Sequence, residues 1–201
     1  ETGRHVVRVG RYAGIIARQL GLNKRIARLI ESAAPLHDVG KIGIPDSILR
    51  KPGKLGPEEF ELMKRHGNYG KKILEPMAEE EWNALRSHTD TGAKIMKVST
   101  APIIKMAASI ALTHHEKWDG TGYPLGLSGN DIPIEGRITA IADVFDALSS
   151  RRPYKPAFPL DKCFAIMKES RGTHFDPAIL DAFLLRREEI VEIQIEYADI
   201  E

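Results

Sequence analysis

The chain has 201 residues, 42% of them apolar, with a formal net charge of +1 and one cysteine. That is enough chain for one sizeable core and short for two, and the near-neutral charge gives no electrostatic pull toward nucleic acid or a membrane surface. Cys163 alone cannot close an internal disulfide, which suits a reducing, cytoplasmic setting, and no apolar run approaches a signal peptide or a membrane span.

Val6, Val9, Ala13, Ile16, Ala17 and Leu20 recur at helical spacing and predict a first helix over 4–20, stopped by Gly21-Leu22-Asn23. Ile26, Ala27, Leu29, Ile30 and Ala33 predict a second over 24–36. It runs into His37-Asp38-Val39-Gly40-Lys41-Ile42-Gly43-Ile44-Pro45, whose glycines and proline end it. After the loop Lys51-Pro52-Gly53-Lys54, Pro57 suits a first helical position, and Glu58 and Glu59 suit the positive helix start, predicting a third helix over 57–66. The stretch Glu58-Glu59-Phe60-Glu61-Leu62-Met63-Lys64-Arg65-His66, followed by Gly70-Lys71-Lys72-Ile73-Leu74, then recurs 22 residues on. The second copy is Glu80-Glu81-Trp82-Asn83-Ala84-Leu85-Arg86-Ser87-His88, followed by Gly92-Ala93-Lys94-Ile95-Met96. Two copies are too few for a solenoid, so 67–88 reads as a local duplication of a helix-His-helix unit.

The apolar run 103–112 predicts a buried helix that ends in Thr113-His114-His115-Glu116-Lys117-Trp118-Asp119-Gly120-Thr121-Gly122-Tyr123-Pro124, where glycines and proline turn the chain. Ile138, Ile141, Ala142, Phe145 and Leu148 stripe a helix over 137–150, with Asp143 and Asp146 interspersed. The basic loop Arg151-Arg152-Pro153-Tyr154-Lys155-Pro156 follows, then a helix over 160–169. Asp176-Pro177 caps a last helix from 178 to about 195. Strand signals are nearly absent. The fold is predicted all-α, one compact multi-helix domain over 1–201, and its abrupt start at Glu1 reads as the C-terminal part of a longer protein.

The polar residues at element ends are Glu1, His5, His37, Asp38, His66, His88, His114, His115 and Asp143. Glu1 and His5, four apart, share a helix face, while the adjacent pairs His37-Asp38 and His114-His115 can serve one site only from a helix end. A lone histidine such as His174 is ordinarily surface or core filler. Two adjacent histidines ahead of Glu-x-x-Asp-Gly are rarer, and Asp143 within an apolar helix would be costly without a partner. Imidazole with carboxylate and no thiolate points to iron, manganese or zinc chemistry, and one aspartate can bridge two ions at a phosphoryl displacement.

These residues resemble the HD-GYP branch of the HD metal-dependent phosphohydrolases. The resemblance rests on His37-Asp38 with Gly40-Lys41, the run from His114 to Pro124, and Ile141-Ala142-Asp143 ahead of Arg152-Pro153-Tyr154-Lys155, and it covers nearly the whole chain. It implies an α-helical domain with its metal centre in the helical core, hydrolysing cyclic di-GMP to linear pGpG or GMP by metal-activated water. The implied cofactors are two or three divalent ions, iron or manganese foremost, with zinc, nickel, magnesium and calcium as alternatives.

By the same resemblance His37, His114, His115 and Asp143 are metal ligands, Asp38 is the bridging carboxylate, and Glu1 and His5 are the extra ligands of three-metal members. Lys41 lies at the scissile phosphate. Gly122, Tyr123 and Pro124 shape the nucleotide pocket, and Arg152 and Lys155 contact phosphate and base. Counting forward from His37, His66 falls at the remaining ligand position; counting back from His114, His88 does, and the uninterrupted stretch 88–115 favours His88. The implied partners are an upstream receiver or other regulatory domain, a second copy in a homodimer, and a diguanylate cyclase of the GGDEF type. Two other readings stay open: a catalytically silent cyclic-dinucleotide receptor, and an HD phosphohydrolase acting on other nucleotides.

Overall fold

The computed structural model describes residues 3–75, 101–151 and 156–198. Of the residues singled out above, Glu1, His88, Arg152 and Lys155 lie outside these ranges. The described residues form ten α-helices joined by short 3-10 turns, with no strand and a single bridge between Arg171 and Phe175. The all-α expectation holds. Among the described residues no helix is long and apolar enough to cross a membrane.

Helix α1 (Gly3–Gln19) and α2 (Lys24–Ala33) pack as a pair, and Asn23 caps α2 by accepting the Ile26 N–H. A 3-10 turn (Ala34–Leu36) delivers His37 and Asp38, and a second (Val39–Gly43) carries Lys41. Short α3 (Asp46–Leu49) leads to α4 (Pro57–Lys64) and α5 (His66–Leu74). Beyond 101 come α6 (Pro102–Thr113), α7 (Ile134–Ser149), α8 (Leu160–Glu169), α9 (Pro177–Leu185) and α10 (Arg187–Glu196). Helix α1 lies against α2 and α7, and α6 against α2, α5 and α7. Val9, Tyr12, Ile16, Ile30, Ile110, Ile141 and Phe145 fill the space between them, fully buried.

Three boundaries depart from the periodicity, each where packing overrides it. The second predicted helix tightens into a 3-10 turn after Ala33, with Pro35 in that turn. The third ends at Lys64: the Arg65 N–H turns back to Leu62, and His66 opens a new helix. The last predicted helix breaks at Arg186, whose N–H bonds Phe183. No glycine or proline marks that break; it lets α9 and α10 both lie on α1.

Candidate metal centre

Each site histidine enters near a helix end, and for three of them the backbone fixes the ring. His37 Nδ1 donates to the Ala34 carbonyl at 2.8 Å, His66 Nδ1 to Met63 at 2.6 Å and His114 Nδ1 to Ile110 at 3.0 Å. These carbonyls lie three or four residues back, in a terminal turn where the helical ladder is running out. Once Nδ1 carries the proton, Nε2 carries the lone pair, the tautomer a metal ligand needs. His5 reaches the same state by donating Nδ1 to the Asp146 carboxylate at 2.8 Å.

The outward-facing atoms converge on two adjacent groups, Asp38 with His66, His114 and His115, and His5 with His37 and Asp143. Within each, the ligand atoms lie within 4.8 Å of one another. Asp38 joins them: Oδ1 is 3.2 Å from His66 Nε2 and 3.8 Å from His114 Nε2, while Oδ2 is 3.2 Å from His37 Nε2. Asp143 Oδ1 stands 3.7 Å from both His5 Nε2 and His37 Nε2, and His115 Nε2 is 3.2 Å from His66 Nε2. His37 and His114 meet edge to face at 5.1 Å, so the imidazoles form one cluster rather than scattered surface groups.

The electrostatics differ between the two groups. Burial, with neighbouring imidazoles, holds His114 well below its ordinary value and brings His115 down to about 3, so both stay neutral. Burial works against a charge on His37, but the neighbouring Asp38 and Asp143 carboxylates outweigh it and raise it to about 9. Asp38 is lowered despite its burial, through His37 and Lys41. Asp143 is raised, first by burial and then by the Asp38 charge, opposed by His37. His37 Nε2, Asp38 Oδ1 and His114 Nε2 are buried without a hydrogen-bond partner. Buried polar atoms ordinarily find partners; these three come from both groups, and an N/O donor set of this kind fits divalent ions.

Lys41 Nζ donates to Asp38 Oδ2 at 2.6 Å, at the edge of the cluster. Tyr123 stacks on His115 with centroids 4.7 Å apart, and burial followed by the Asp38 and Asp143 charges raises its phenol. Gly122 is required by close approach: a Cβ there would lie 2.3 Å from the Lys117 nitrogen. Pro124 follows Tyr123 through a cis peptide. Glu116 is buried with both oxygens engaged, accepting the Leu125 N–H at 2.7 Å and the Leu127 N–H at 3.0 Å, so it fastens this loop. Asp119 Oδ1 accepts from Thr121. Of the two copies of the repeat, the first brings His66 into the cluster, and His174 belongs to neither group.

Two participants were not singled out from sequence. Arg8, 1% exposed, donates Nε and Nη2 to Asp146 at 2.5 and 3.0 Å and Nη1 to the Tyr197 carbonyl at 2.6 Å. Asp146 in turn orients His5. The available signal was spacing: Arg8 follows His5 by three residues and Asp146 follows Asp143 by three, so each shares a helix face with a site residue.

The HD domain family matches residues 2–81 and again 75–179, one match taking in His66 and the other His88. The chain belongs to the HD domain family. The HD-GYP motifs place it in that branch of HD domains. It is 46% identical, over 96% of its length and 46% of the relative's, to the cyclic di-GMP phosphodiesterase of Thermotoga maritima. It is 42% identical to the 3'3'-cGAMP-specific phosphodiesterase 2 of Vibrio cholerae, over 99% of its length and 34% of that protein's. Among solved structures, the HDG"Y"P protein Bd1817 from Bdellovibrio bacteriovorus shares the fold, with a TM-score of 0.59 at 21% identity, covering 94% of this chain and 51% of that one. The chain thus spans about half the length, or less, of the relatives it matches. HD domain proteins are metal-dependent, and here two groups of histidine and aspartate can hold metal.

Proposed function

We propose that this HD domain is a metal-dependent phosphodiesterase that hydrolyses cyclic di-GMP to linear pGpG or GMP. The observation that carries the reading is Asp38, whose two carboxylate oxygens face two neighbouring groups of imidazoles, one oxygen each. The relatives' names support a cyclic dinucleotide as substrate, with 3'3'-cGAMP the second candidate because cGAMP-specific enzymes are among them.

His5, His37, Asp143 and Asp38 would hold one ion, and Asp38, His66, His114 and His115 a second, with Glu1 available to a third. Iron or manganese suits the donor set best, ahead of zinc, nickel, magnesium and calcium. Bound divalent ions supply Lewis acidity toward phosphoryl oxygens and lower the pKa of water. The chain's residues do the rest. Lys41, held by Asp38, sets a cation where charge builds on the phosphoryl group. Tyr123 lies flat on His115 and walls the site. Arg152 and Lys155 would meet the second phosphate of a dianionic substrate. With both Glu116 oxygens committed to the loop and the Asp119 carboxylate held ionised by Thr121, protonation of the leaving oxygen falls to solvent.

His66 is the fuller candidate for the upstream ligand, and 67–88 is then a local duplication within one catalytic domain over 1–201. The length of the relatives supports an attached regulatory domain, such as a receiver. A homodimer, a GGDEF cyclase partner and a cytoplasmic site of action rest on the HD-GYP resemblance. The test is chromatography of cyclic di-GMP and 3'3'-cGAMP after incubation with manganese- or iron-loaded protein. Turnover of the wild type, lost in a folded Asp38→Ala variant, is expected. A metal-replete wild type that binds a cyclic dinucleotide without cleaving it would favour the silent receptor instead.

A further inference from the structure

An aromatic corner stands beside the metal centre, and two of its three residues, Phe60 and Lys64, have no role given above. Phe60 on α4 is 46% exposed, and its ring meets Tyr123 edge to face, with centroids 6.3 Å apart and planes at 79°. Lys64, one turn on, holds Nζ 5.3 Å from the Phe60 centroid and 5.8 Å from the Tyr123 centroid. A phenylalanine exposed to that extent leaves apolar surface in water. Lys64 pairs with Glu61 at 2.5 Å, but Glu61 is 66% exposed, so that pair is cheaply exchanged for another acceptor. Tyr123 connects the corner to the ions' donors, since its other neighbour is His115.

We propose that Phe60, Lys64 and Tyr123 form a guanine subsite for the substrate whose phosphodiester lies on the metal centre; this rests on the function proposed above. A nucleobase stacks on the open face of Phe60, a contact every base can make. Lys64 supplies the selection. Guanine presents two acceptors, N7 and O6, where adenine presents one acceptor and a donor, so a lysine ammonium at the base edge favours guanine. The sequence carries the same pattern twice: Trp82 and Arg86 take the places of Phe60 and Lys64 in the second copy, keeping an aromatic and a cation four residues apart.

The test compares wild type, Phe60→Ala, Phe60→Trp and Lys64→Ala, all metal-loaded, on cyclic di-GMP, cyclic di-AMP and bis(p-nitrophenyl) phosphate, a phosphodiester without bases. Phe60→Ala should lower kcat/KM for cyclic di-GMP about tenfold through KM, with Phe60→Trp restoring it. Lys64→Ala should narrow the preference for cyclic di-GMP over cyclic di-AMP. Metal content and hydrolysis of the base-free diester should stay within about twofold of wild type by the same reasoning. Unchanged KM and preference in the variants of an active wild type would overturn the subsite alone, as would equal losses on all three substrates. A metal-loaded wild type that neither binds nor cleaves either cyclic dinucleotide would overturn the proposed function, and the subsite with it.

Discussion

Three imidazoles, those of His37, His66 and His114, are held by backbone carbonyls of their own terminal turns, which turns each Nε2 toward a common space. His66→Ala should therefore cost metal, read by elemental analysis, while His88→Ala should leave the metal content near wild type; equal losses would mean both copies ligate. Asp146→Ala removes the acceptor that orients His5 and strands the buried Arg8 guanidinium. It should lower both metal content and stability, by about 3 kcal/mol for the broken buried pair, measured by urea unfolding. His174 titrates outside the cluster, pushed down to about 4 by burial and then by Lys117. The unfolded chain takes up that proton near pH 6.5, so its contribution to stability is intact above 6.5 and lost as the pH falls toward 4. His174→Gln should flatten that part of a stability–pH profile. The residue types of the site were legible because two histidine-bearing dipeptides and an intrahelical aspartate are rare together. Arg8 and Asp146 were not, because a charge on an amphipathic helix ordinarily faces water, and only the rotation of α1 against α7 turns these inward.

At the scale of elements, the site depends on how closely α5 approaches the 3-10 turn that follows Asp38. A Cβ on Gly40 would lie 1.9 Å from the His66 carbonyl and 2.3 Å from the Gly70 nitrogen, backbone atoms that cannot yield. Gly40→Ala should separate Asp38 from His66, costing about 2–4 kcal/mol of stability as overpacking and most of the metal at that group; calorimetry with metal analysis reads both. Helix existence was legible nearly throughout, since apolar spacing survives into the packed structure. Helix ends were less so. The breaks at Arg65 and Arg186 carry no glycine or proline, and they exist because His66 and the two last helices gain contacts that a continuous helix would forgo. The repeat was plain in the letters, yet which copy supplies the histidine is a matter of tertiary fit; the uninterrupted stretch 88–115 favours His88, which lies outside the described residues, whereas His66 stands in the cluster.

For the molecule as a whole, the centre joins chain segments far apart in sequence: His5 from α1, His37 and Asp38 from the turn after α2, His66 from α5, His114 and His115 from the end of α6, and Asp143 from α7. Ions held by five segments would bind the folded state alone, so metal at a hundredfold over its dissociation constant should add about 2.7 kcal/mol of stability. A melt in manganese against one in chelator should then differ by about 5–10 °C. The all-α class and the convergence on one centre could be anticipated because both follow from patterns local to each segment. The measurement that bears most directly on that convergence is the metal content of anaerobically purified wild type, His5→Ala and His115→Ala. The two groups of donors predict about two ions in the wild type and the loss of about one in each folded variant; variants that keep the full wild-type complement, or a wild type that takes up no divalent ion at saturating metal, would contradict it.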